Sequence, residues 1–190
     1  MLVLSDMDST LFYIFLFIHL ISLITGFGAV IVIDTFGLLW MRKTVPLSRV
    51  NQTAHITQRL IWIGWTGLVL SGIGLISLKG YIDNLTAIKL FFVALLGLNG
   101  IFLHTIKKSF DSVSDSDQIS PLLFFRISLA STISQLGWWG AVVIGFVHRH
   151  IDHYIAWPAH PSIWIAGMLL LISIVSLLGE TLLRKKLLAY

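Results

Sequence analysis

The sequence predicts an all-α integral membrane protein, a polytopic bundle of five transmembrane helices with the amino terminus outside and the carboxyl terminus in the cytoplasm. Three observations predict it. Five apolar runs, residues 11–33, 56–78, 85–106, 122–147 and 163–183, each reach the roughly 20 helical residues that cross a bilayer. Of the 190 residues, 56% are hydrophobic and 12% charged, and the mean hydropathy is +0.89. That balance leaves almost nothing for a water-soluble domain, so the runs read as one domain, 1–190. Of the 13 lysines and arginines, ten fall on one side of the runs and three on the other.

Each element follows in order. Met1–Thr10 carries Asp6 and Asp8 without a Lys or Arg, and the run after it is much longer than the roughly 7–15 apolar residues of a signal peptide. It is expected to stay as the first membrane helix. The apolar stretch continues to Met41, interrupted only by Asp34, so this helix either tilts or extends past the bilayer. The second and third runs are joined by a short connection, 79–84, and read as a hairpin. Asp111–Asp117 alternates aspartate with serine and valine and reads as a short acidic loop. Pro121 suits the first turn of the fourth helix. Continuous rather than alternating apolar runs argue against a β-barrel.

The charge pattern orients the chain. Arg42, Lys43, Arg49, Arg59, Lys107, Lys108, Arg126, Arg184, Lys185 and Lys186 share one side; Lys79, Lys89 and Arg149 share the other. The cation-rich side belongs in the cytoplasm. The formal charge of +4 is therefore a topological signal and not a nucleic-acid footprint. Cysteine is absent, which excludes disulfides, thiolate metal sites, iron–sulfur clusters and a cysteine nucleophile. No Ser–His–Asp set, phosphate loop or helix-borne HExxH motif is present, which excludes the familiar soluble hydrolase and kinase chemistries.

Glycines recur in pairs: Gly26 and Gly28, Gly64 and Gly67, Gly72 and Gly74, Gly97 and Gly100, Gly137 and Gly140. Such residues let helices approach closely in lipid, or leave room for a flat ligand such as a porphyrin or quinone. Trp157 and Trp164 read as outer-interface anchors, whereas Trp62, Trp65, Trp138 and Trp139 lie deeper, as core or as a ligand wall.

Three groups of polar residues carry the candidate chemistry. His19 stands among Phe15, Leu16, Phe17, Ile18, Leu20 and Ile21, and a polar group in hydrocarbon needs a partner. It reads as an axial haem ligand or as one half of an interhelical hydrogen bond. At the inner face, His55 begins the second run, His104 ends the third and Asp34 ends the first; two imidazoles and a carboxylate suit a transition metal, and two imidazoles suit a haem. Outside, His148, His150, Asp152, His153 and His160 crowd the stretch 148–160, which suits zinc or copper capture or is simply a polar loop. Lys89 opens the third run and either snorkels to the interface or meets a carboxylate such as a porphyrin propionate. Asn99, in mid-run, requires a hydrogen-bond partner.

Three segments together resemble a known group: His19 followed by Gly26-Phe27-Gly28; Arg59-Leu60-Ile61-Trp62 leading to Gly67-Leu68-Val69-Leu70-Ser71-Gly72; and Lys89-Leu90-Phe91-Phe92-Val93-Ala94-Leu95-Leu96. Over about the first 110 residues the chain resembles the small membrane proteins grouped with the bacterial membrane-type protoporphyrinogen IX oxidase and the copper-resistance D membrane domain. The resemblance implies a haem-associated helical bundle in a bacterial inner membrane, with His19 matching the first-helix histidine and Lys89 the lysine opening the third helix. The pattern departs where those oxidases carry a tryptophan and a proline–arginine pair; here stand Gly26 and Ile33-Asp34.

The expectation is a membrane haem-b protein in electron transfer or porphyrin redox chemistry, with His19 as first ligand and His104 and His55 after it. A metal-ion (copper) handling protein would instead capture ions on His148, His150 and His153 and release them at His55, His104 and Asp34. A non-catalytic membrane subunit or assembly factor, in a homo-oligomer or a larger membrane complex, would need none of these histidines.

Overall fold

The computed structural model describes residues 2–113, 119–150 and 160–188, all of it helix and short connection. Five helices follow in order: α1 Leu2–Met41, α2 Leu47–Lys79, α3 Asn84–Asp111, α4 Pro121–His150 and α5 Pro161–Leu188. Each encloses one of the five apolar runs and is long and apolar enough to cross a membrane. Apolar side chains face outward along all of them, as Ile24, Leu70, Leu98, Val143 and Leu177 do, which suits hydrocarbon and not water.

Helix ends follow local chemistry. α1 passes Asp34 without a break and stops after Met41, where Lys43 adopts a left-handed φ of 58°. The Thr44 amide then donates to the Leu39 carbonyl at 2.9 Å and the Lys43 amide to Trp40 at 2.8 Å, the paired bonds of a Schellman cap. Extended Pro46 turns the chain into α2. Gly80, at φ 77°, ends α2 with its amide on the Ile76 carbonyl at 2.9 Å. Asp83 caps α3 through the Thr86 amide at 2.7 Å, and Ser120 caps α4 through the Leu123 amide at 3.3 Å. Pro121 and Pro161 each occupy the first helical position, where a missing N–H costs nothing.

The chain forms two compact units, Met1–Ile82 and Asp83–Tyr190. The first is an antiparallel α1–α2 hairpin. Its seam is built of small residues: Ser22, Gly26 and Ala29 on α1 are buried, as are Thr57, Gly64, Leu68 and Ser71 on α2. Moving along α1, Phe15, His19, Ser22 and Gly26 meet Gly74, Ser71, Gly67 and Gly64, steps of three or four residues in opposite directions. A Cβ on Gly64 would lie 2.5 Å from the Gly26 Cα, so the two backbones touch where both side chains are absent.

In the second unit α3 packs against α4. Leu85, Phe92 and Leu95 of α3 meet Ile133 and Ile144 of α4, and Met168 and Ile172 of α5 lie against this core. Phe92 and Leu96 fill the spaces over Gly140 and Gly137. Buried Asn99 donates from Nδ2 to the Ala130 carbonyl at 2.8 Å, the partner that its mid-helix position demands. α5 is fastened by the Phe125 ring over Gly179 and by Arg126, whose guanidinium meets Glu180 at 2.8 Å.

Candidate functional site

His19 lies on the seam of the first unit, half-buried, with its partner on the facing helix. Its Nδ1 is 2.9 Å from the Ser71 Oγ. Ser71 is 2% exposed, and its Oγ lies 2.6 Å from the Gly67 carbonyl one turn back. A serine hydroxyl has one proton, and the shorter contact to a carbonyl fixes its direction: Ser71 donates to Gly67. The Ser71 lone pair then accepts from His19, which places the imidazole proton on Nδ1. In that tautomer the lone pair is on Nε2.

The seam closes on both sides of this pair. Towards Gly26, Ser22 occupies the space over Gly67, and Gly64 touches backbone. Towards the other end, the Phe15 ring covers Gly74. Gly72 lies beside the imidazole: a Cβ there would be 3.8 Å from His19 Cε1, an ordinary contact. Gly64, Gly67, Gly74, Gly137 and Gly140 are therefore packing glycines and leave no slot for a flat ligand. A Cβ on Gly28 would have nothing within 4 Å.

The other sequence candidates fall in separate places. His55 is exposed on α2 of the first unit, and His104 is exposed on α3 of the second. Asp34 is half-buried inside α1 and does not end it. Among the described residues, no three His, Asp or Glu side chains come close enough to hold a metal ion. Lys89 is half-buried against α4, its Cε and Nζ each 3.6 Å from where a Gly145 Cβ would stand. His148 and His150 lie in the last turn of α4 with side chains outside the described residues, as are Asp152 and His153 entirely; His160 is exposed at the start of α5. Of the deep tryptophans, Trp138 is 1% exposed and belongs to the core, whereas Trp139 is 52% exposed. Trp62 and Trp65 stack edge to face at 5.5 Å between centroids.

Two contacts between helices do not appear among the sequence expectations. Ser71 had a legible signal: counting equal numbers of residues outward from the 42–46 turn brings it within a turn of His19. The Arg126–Glu180 pair had none, because α4 and α5 are joined by a long connection that sets no register.

No family model, no curated protein and no solved structure matches this chain.

Proposed function

We propose that this chain is a membrane haem-b protein working in electron transfer or porphyrin redox chemistry, with His19 as the iron ligand. The observation that carries this reading is the Gly67–Ser71–His19 relay. Through it Ser71 holds the imidazole in one orientation, as proteins do with an axial histidine. The resemblance of the His19, Arg59–Gly72 and Lys89 segments to the protoporphyrinogen oxidase and copper-resistance D group supports it.

The donor set fits the group in part. One oriented imidazole suits an iron ligand, and because side chains and backbone fill the α1–α2 seam, a haem held by His19 would lie outside it. Bound iron would supply one-electron chemistry there. The chain's own residues do the rest: Ser71 holds the imidazole, and Phe15 and Ser22 close the seam on either side of it.

The excess of cations at the 42–46 turn, at the ends of α3 and α5 and at the start of α4 supports a cytoplasmic carboxyl terminus in a bacterial inner membrane. Single cysteines placed in this cysteine-free chain near Lys43 and near Gly80 should label from opposite sides.

The deciding experiment is the visible spectrum of detergent-purified protein expressed with ample haem, oxidised and dithionite-reduced. A Soret band with sharpened α and β bands on reduction, lost or shifted in His19→Ala, is expected. A colourless wild-type protein would refute the haem reading. It would favour the non-catalytic membrane subunit, which the side-chain-filled glycines already suit.

A further inference from the structure

The second unit holds a cavity of about 400 Å³ between the last turn of α3 and the first turn of α4. Its lining divides in two. Ile106, Leu122 and Leu123 form an apolar wall, and Ser109, Ser120 and Arg126 form a polar one. The polar wall is rich in donors. Ser120 Oγ already accepts from the Leu123 amide, so its own proton points elsewhere. The Nε and Nη2 atoms of Arg126 address the same Glu180 oxygen at 2.8 Å, which leaves the Nη1 hydrogens to another acceptor.

Charge favours an anion. Glu180 is shared by two guanidinium groups, since Arg184 reaches its second oxygen at 3.4 Å. Two cations on one carboxylate leave an excess positive charge beside the cavity. A phosphodiester carries the single charge that this local excess of one cation matches. The apolar wall adds a surface that a soluble phosphate would leave exposed to water. Lys107, Lys108, Arg184, Lys185 and Lys186 mark the same helix ends as a cation-rich membrane surface.

We propose that this cavity binds the phosphodiester of an anionic phospholipid. Arg126 and the serine hydroxyls take the phosphate oxygens, and Ile106, Leu122 and Leu123 take the start of the acyl chains. Arg126 thereby links the α4–α5 ion pair to the composition of the surrounding leaflet.

The test uses the full chain in neutral detergent, with lipid binding read by native mass spectrometry. The probes are phosphatidylglycerol, phosphatidylcholine and inorganic phosphate. Phosphatidylglycerol should bind about tenfold more tightly than phosphatidylcholine, because both carry the phosphodiester but phosphatidylcholine also brings a choline cation that the excess positive charge beside the cavity repels. Arg126→Gln should remove that preference, and Arg126→Lys should retain part of it. Because Arg126→Gln also disturbs Glu180, Val113→Trp serves as the second variant: it fills the cavity from the α3 side, leaves the ion pair intact and should also abolish the preference. Equal binding of both lipids by wild type would overturn the proposal, as would a preference that survives Val113→Trp. Inorganic phosphate competing fully with phosphatidylglycerol would overturn the lipid assignment in favour of a soluble phosphate compound.

Discussion

Replacing Gly64 with alanine should open the α1–α2 seam and disturb His19 from two helical turns away. The new Cβ would lie 2.5 Å from the Gly26 Cα and amide nitrogen and 2.7 Å from the Ser22 carbonyl oxygen. Carbon atoms rest about 3.5–4.0 Å apart, so the helices must separate by about 1 Å at this point. All three obstructing atoms are backbone, so no rotamer change relieves the clash. Overpacking of this kind costs about 1–3 kcal/mol, and the better helix propensity of alanine returns up to about 1 kcal/mol. Loss of close packing along the rest of the seam adds to the cost, for a net destabilisation of about 2 kcal/mol.

His19 lies seven residues from Gly26, and Ser71 seven from Gly64, so the opening is felt at their contact. A hydrogen bond of 2.9 Å does not survive a separation of that size. Gly72→Ala is the matched control, because its nearest atom, His19 Cε1, is 3.8 Å away. Equilibrium unfolding by sodium dodecyl sulfate in mixed micelles measures both. Gly64→Ala should unfold at clearly lower detergent fraction, with Gly72→Ala within about 0.5 kcal/mol of wild type. Equal stability of Gly64→Ala and wild type would refute the backbone contact between Gly26 and Gly64.

Three further outcomes follow from single contacts. Asn99→Leu removes the bond to Ala130 and should cost about 1 kcal/mol in the same assay, the scale of interhelical hydrogen bonds in membranes. Glu180→Gln breaks the α4–α5 ion pair, whose partners are each 28% exposed, and should cost no more than about 1 kcal/mol, least at high salt. Lys43→Gly should stabilise the chain by about 0.5–1 kcal/mol, because a left-handed φ of 58° strains any residue with a Cβ; a loss of stability would show that the Schellman cap is not formed.

The helices were legible because apolar runs of membrane length have one physical solution in lipid, with every backbone group bonded internally. Their ends were less so. The apolar stretch to Met41 is interrupted at Asp34, yet one carboxylate does not break a helix, and α1 continues until Lys43 supplies the left-handed cap. The paired glycines were visible in the sequence but their use was not. Packing and ligand space demand the same small residue, and only the facing backbone of Gly26 or the Phe92 ring over Gly140 decides between them. His19 was legible as a buried polar group that needs a partner. Ser71 was legible only by counting outward from the 42–46 turn, since a serine that bonds its own helix looks unremarkable in sequence. Arg126 and Glu180 depended on the register of two helices that sequence alone leaves free to slide.

The most direct test of the central claim is a spectrophotometric haem titration of the purified haem-free protein with wild type, His19→Ala and Ser71→Ala side by side. Wild type should bind near-stoichiometrically with a shifted Soret band, and His19→Ala should lose that signal. Ser71→Ala, which frees the imidazole to rotate and change tautomer, should bind about tenfold more weakly. Wild type and His19→Ala titrating alike would contradict the account.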